Sequence, residues 1–110
     1  MRPVALAFAL LAFSLSTAAE AMGDAENGKA KAAQVCAACH GPDGAKPTAP
    51  DQPILAGQHY DYLVRALSDY KTGKRANPVM KVFASPLSKQ EIEDLAAWFA
   101  RQKSNLHFQR

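Results

Sequence analysis

Apolar positions recur at three- and four-residue steps in three stretches of the chain, and proline-rich stretches separate them. The first, "DAENGKAKAAQVCAACH", has Asp24 as a helix N-cap and Glu26 in the favourable first turn. Its alanines and lysines predict a helix from there to about Ala38. Gly28 inside it costs about 1 kcal/mol relative to alanine, which points either to another element passing close by or to simple tolerance near a frayed helix end. The second, "GQHYDYLVRALSDYKTGK", places Tyr60, Leu63, Leu67 and Tyr70 on one helical stripe and ends at Gly73. The third opens with a capping box, Ser88 with Glu91, and buries Ile92, Leu95, Ala96 and Phe99. Between them, "GPDGAKPTAPDQP" and "RANPVMKVFASP" read as loops stiffened by proline. No segment shows the two-residue alternation of a strand, so the fold class is all-α.

The residues before Asp24 follow a different pattern. Arg2, the apolar run "VALAFALLAFSL" and the small-residue stretch "STAAEA" make a secretory signal peptide, residues 1–21, with cleavage expected after Ala21. The apolar run is shorter than the about 20 residues of a membrane-spanning helix. An exported, periplasmic protein with no stable membrane insertion is the expectation. Export leaves 89 residues, a size at which a prosthetic group, metal or disulfide usually supplements the core. The net charge of +3 survives processing, because Arg2 and Glu20 leave together. Positive residues are spread along the chain with no basic run carrying interleaved aromatics, which argues against nucleic acid as a partner.

Both cysteines lie in "QVCAACHG". A disulfide across two intervening residues closes too small a loop to stabilise much. A redox dithiol needs this spacing at a helix N-terminus after a strand, whereas Cys36 and Cys39 fall at the C-terminal end of a predicted helix. Structural zinc needs four ligands; Cys36, Cys39 and His40 give three, with His59 the remaining candidate. Covalent haem uses every residue of the motif: each thiol takes one vinyl group, and His40 lies beneath the iron as proximal ligand. For the opposite face the donors are Met22, His59, Met80, His107 and the lysines, and Met80 lies in the proline-bearing stretch just before the last helix.

The sequence resembles the class I c-type cytochromes, in the small bacterial form that also makes up each half of some dihaem cytochromes. The resemblance covers residues 23–103 and rests on "CAACHG", "PILAGQ" with the helix after it, "YKTGKRANPVM" and "LSKQEIEDLAAWFA". It implies three main helices with long loops wrapped around one covalently attached haem c, a cytochrome domain over 22–103 and a flexible tail over 104–110. Met80 would be the sixth iron ligand, and this Met/His pair raises the reduction potential. The Pro53 carbonyl would accept from Nδ1 of His40, although Pro47 and Pro50 lie in the same loop. Arg75 would pair with a haem propionate, Asn77 would hydrogen-bond near the methionine, and Gly28 would meet Trp98 and Leu95 where the outer helices cross. The implied function is that of a monomeric, non-enzymatic electron carrier. It would dock transiently on a redox donor and acceptor through a weakly charged patch with lysines such as Lys46 and Lys81. A haem subunit of a dehydrogenase or reductase complex is one alternative, and an open-site protein that senses gas or reduces peroxide is another.

Overall fold

A computed structural model describes residues 1, 3, 4 and 22–104. The rest of the expected leader, and the tail beyond residue 104 with His107 in it, lie outside the described residues. Among the described residues there are five helices: α1 Ala25–Val35, α2 Ala37–His40, α3 Tyr60–Thr72, α4 Pro78–Ala84 and α5 Lys89–Ala100. None is long and apolar enough to cross a membrane.

α1 starts where its sequence says. Asp24 Oδ1 accepts from the backbone N–H of Glu26 (2.8 Å) and Asn27 (3.2 Å), satisfying two of the free donors of the first turn. The helix does not run on to Ala38 as expected. It breaks at Cys36, whose φ of −114° departs from helical geometry, and α2 restarts for a single turn. Gly41, at φ +84°, then closes α2 with its N–H on the Ala37 carbonyl; a side chain there would also press on the backbone of Lys46. α3 ends as predicted at Gly73, in the left-handed region. α5 carries the full capping box: Glu91 N–H donates to Ser88 Oγ, and Ser88 N–H to Glu91 Oε2, each at 3.0 Å.

The stretch "RANPVMKVFASP" is not a loop. Residues 78–84 form α4, because Asn77 takes the N-cap and Pro78 the first helical position, where its missing N–H costs nothing. The prolines that suggested a loop mark the two sides of a short helix.

α1 and α5 form the closest helix pair, and their contact is backbone to backbone. A Cβ on Gly28 would strike the carbonyl of Asp94 and the Cβ of Trp98, which accounts for the helix-interior glycine. Gly23 stands equally close to the Glu93–Asp94 peptide. Asp94, only 6% exposed, accepts from Asp24 N–H at 2.7 Å and from Gln90 Nε2 at 2.8 Å, as a buried carboxylate must. Ala32, Leu63, Ala84, Leu87, Ile92, Leu95, Ala96 and Phe99 make one core, with Tyr60, Leu67 and Tyr70 packed against it. Among the described residues, just Phe99 and Leu95 are large side chains buried completely.

Candidate functional site

Beside this small core lies a cavity of about 530 Å³, within the range of roughly 300–1,000 Å³ usual for cofactor sites. Its walls bring together residues widely separated in the chain: Cys36, Cys39 and His40 from the α1–α2 break, Pro53 from the proline-rich loop, and Met80 from α4. Leu63, Leu67, Ala84, Leu87 and Phe99 supply much of its apolar lining. The break at Cys36 fits this arrangement, for Cys36 and Cys39 both reach the cavity from either side of it.

The proline-rich loop is ordered by its own hydrogen bonds. Gln52 Oε1 accepts from Thr48 N–H (2.9 Å), Thr48 Oγ1 (2.9 Å) and Ala49 N–H (3.1 Å). The loop is tied back by Thr48 N–H on the Cys39 carbonyl at 3.0 Å and by Leu55 N–H on the Gly44 carbonyl at 2.8 Å. Gly44 has a φ of +76°, and a side chain there would meet the Phe99 ring and Leu55. Thus folded, the loop sets the Pro53 carbonyl oxygen 2.9 Å from Nδ1 of His40, which is 6% exposed. A carbonyl only accepts, so Nδ1 carries the proton and Nε2 keeps its lone pair for a metal. Pro47 and Pro50, which shared the loop, do not make this contact.

Cys36 and Cys39 are not joined in a disulfide. Burial pushes the Cys36 thiol up to about 11, whereas a disulfide-exchange catalyst needs a lowered one. Among the described residues no group of three or more His, Cys, Asp or Glu side chains is arranged to hold a metal ion, which leaves the zinc reading without support there.

Met80 is half-buried in the first turn of α4, where its N–H and that of Val79 donate to Asn77 Oδ1 at 3.1 and 3.0 Å. Arg75 reaches the cavity rim. Its Nη1 donates to the Tyr62 hydroxyl at 3.3 Å, its guanidinium lies 4.8 Å from the centre of the Tyr70 ring, and the Tyr62 hydrogen bond chiefly raises its pKa. Of the other donors considered for the metal, His59 and Met22 do not line the cavity. His59 is the exposed N-cap residue of α3, and Met22 is 65% exposed beside a separate groove between α3 and α5. Trp98 donates through Nε1 to the Pro42 carbonyl at 3.2 Å, fastening α5 to the loop behind the cavity.

A histidine presenting Nε2, a thioether and two thiols around one apolar cavity define a c-type haem protein. The family model described as Cytochrome c matches residues 25–103, and the chain belongs to that family. It is 51% identical over 85 residues to cytochrome c4 of Thiocapsa roseopersicina, which covers 77% of this chain and 43% of that one. It is 38% identical over 84 residues to cytochrome c-554(548) of Halomonas halodenitrificans, covering 74% of this chain and 99% of the relative. A crystal structure of reduced recombinant cytochrome c4 from Pseudomonas stutzeri superposes with a TM-score of 0.69 at 43% identity, over 76% of this chain and 48% of that one. The chain thus spans about half the length of the cytochrome c4 relatives it matches. Family membership implies covalently bound haem c. The residues present fit it, with thiols at the attachment spacing, a histidine of fixed tautomer and an apolar hollow where so short a chain lacks core.

Two features were not read from the sequence. The contacts of Gln52 become visible only once the loop is folded. α4 carried a usable signal, Asn followed by Pro, which is a helix start as much as a turn.

Proposed function

We propose that the chain is a monohaem electron carrier. Cys36 and Cys39 would hold one haem c through their sulfurs, and His40 and Met80 would ligate its iron. Bound there, the haem supplies an iron that gains and loses a single electron. The observation that carries the reading is the convergence of these four side chains on one apolar cavity, with His40 already fixed through Pro53.

Each residue has a share in the work. The Pro53 carbonyl holds the His40 ring in one orientation and raises its basicity. Met80 offers a soft, neutral sulfur that favours the reduced metal. Leu63, Leu67, Leu87 and Phe99 keep water out, lowering the local dielectric. Arg75 stands at the rim, where its fixed positive charge suits a haem carboxylate. With His40 and Met80 both given to the iron, no open position would remain for dioxygen or a substrate, which is the chemistry of a carrier and not of an enzyme.

The chain, cut after Ala21 and exported to the periplasm, would meet its redox donor and acceptor there as a monomer through brief encounters. The test is denaturing mass spectrometry of protein produced with haem-attachment machinery, followed by a redox titration. The expected result is one haem retained on the wild-type chain, lost from Cys36→Ala/Cys39→Ala, and a reversible one-electron wave. A chain that releases its haem on denaturation, or that shows no such wave, contradicts the reading.

A further inference from the structure

α4 carries Met80, yet packing does little to hold it. Of its seven residues only Ala84 is buried, while Val79, Val82 and Phe83 are 59%, 70% and 41% exposed. Val79, Met80, Phe83 and Ala84 line the cavity, the face a bound haem would cover; a helix this short is marginal on its own in water, so the fastening of its ends bears on how it is held.

Its ends are held by side chains: Asn77 at the start, and at the far end Lys71 together with Ser85, whose Oγ donates to the Lys81 carbonyl at 2.5 Å. At the start, Asn77 Oδ1 accepts from Val79 N–H and from the N–H of Met80 itself. Pro78 has no N–H to satisfy, and Lys81 N–H closes the first turn on the Asn77 carbonyl at 2.9 Å. At the far end, Lys71 reaches over from the last turn of α3. Its Nζ donates to the Ser85 carbonyl at 3.2 Å and to the Leu87 carbonyl. Ser85 is the C-cap of α4 and Leu87 lies just beyond it, so the ammonium stands near the negative end of the helix dipole. The connection between the two pins is itself tied, with Arg75 N–H on the Asp69 carbonyl at 3.0 Å.

We infer that Asn77 and Lys71 are positioning residues for Met80: they fasten both ends of α4 and so determine how firmly the methionine is presented to the cavity, Asn77 from its wall and Lys71 from outside its lining. The inference rests on the reading of Met80 as an axial ligand. Any entering ligand that displaces Met80 must work against these fastenings.

The test is an imidazole titration of the haem-loaded full chain, read by loss of the near-infrared charge-transfer band of methionine ligation. Amide hydrogen exchange at Val79 and Met80 is measured beside it. Asn77→Ala is expected to lower the imidazole concentration at half-displacement about five-fold, the equivalent of one helix cap, and to speed exchange at both amides. Lys71→Met is expected to lower it about three-fold. Asn77→Asp and Lys71→Arg keep an acceptor and a cation in place and should stay near wild type. Ser88→Ala removes a similar cap from α5 and should leave the imidazole curve unchanged, which separates positioning from a general loss of stability. Should Asn77→Ala fail to take up haem, Asn77→Ser, a cap with a shorter side chain, is expected to show the same shift in smaller measure. The inference is overturned if Met80→Ala abolishes the band but Asn77→Ala or Asn77→Ser, and Lys71→Met, shift the curve no more than Ser88→Ala does. If Met80→Ala leaves band and curve as in the wild type, Met80 is not the ligand, and the ligation reading falls with the inference.

Discussion

At the α1–α5 crossing, backbone lies on backbone. Gly23 and Gly28 leave no room for a side chain, Ala32 and Leu95 are fully buried, and Asp94 links the start of α1 to α5 through hydrogen bonds. Across the cavity α4 shows the reverse: a single buried alanine, three exposed apolar residues and a fastening at each end. The first region closes on itself using protein alone. The second faces a hollow that a prosthetic group is expected to fill, so its protein contacts are few and sit at its margins. The same short chain thus has a part that packs unaided and a part whose packing partner is the cofactor.

Substitutions should separate the two regions by their cost. The largest loss is expected from Leu95→Ala, about 2–5 kcal/mol for a fully buried leucine, read by denaturant unfolding of the haem-loaded protein. Gly28→Ala should follow with a net loss of about 2 kcal/mol, because the collision with the Asp94 carbonyl outweighs the gain in helix propensity. Asp94→Ala leaves the Asp24 N–H without its partner and should cost about 1–2 kcal/mol. Ser88→Ala removes half of the α5 capping box and should cost about 1 kcal/mol. At the small end stands Val82→Ser, on the exposed face of α4, which should change stability by no more than about 0.5 kcal/mol. A loss at Val82 as large as that at Gly28 would break the comparison, for it would mean that α4 is packed after all.

Acid should act through the same capping box. The Ser88 backbone N–H, and then Lys31 at 3.1 Å, hold the Glu91 carboxyl below its ordinary value. A lowered folded-state value means that the carboxylate adds stability above the ordinary glutamate value of about 4.3. That stability is lost as the pH falls through the lower folded value. Melting curves of wild type and Glu91→Gln should therefore differ at neutral pH and converge in acid. Curves that stay parallel would remove the ionic part of the cap.

Much of the fold could be read where the signal is local. Asp24 and the Ser88–Glu91 box mark helix ends by hydrogen bonds spanning two or three residues, Gly73 marks one by its left-handed backbone, and the α5 stripe of Ile92, Leu95, Ala96 and Phe99 is buried as its spacing predicts. The attachment motif was legible for the same reason. Gly28 was legible only as a question, which Asp94 and Trp98 answer from the other end of the chain. α4 was misread because proline at a helix start and proline in a loop look alike until Asn77 is seen to cap. The break at Cys36 carries no local signature; it becomes intelligible beside the cavity that both cysteines line. Lys71 could not be assigned from sequence either, since its partners are backbone carbonyls 14 and 16 residues away.

The central claim is that His40 and Met80 face each other across one covalently held haem. Near-infrared absorption of the oxidised protein, wild type against Met80→Ala, tests it most directly. The account predicts a weak charge-transfer band in the wild type that the variant lacks, with covalent haem present in both. A haem-loaded wild type without that band, or a variant that keeps it, would contradict it.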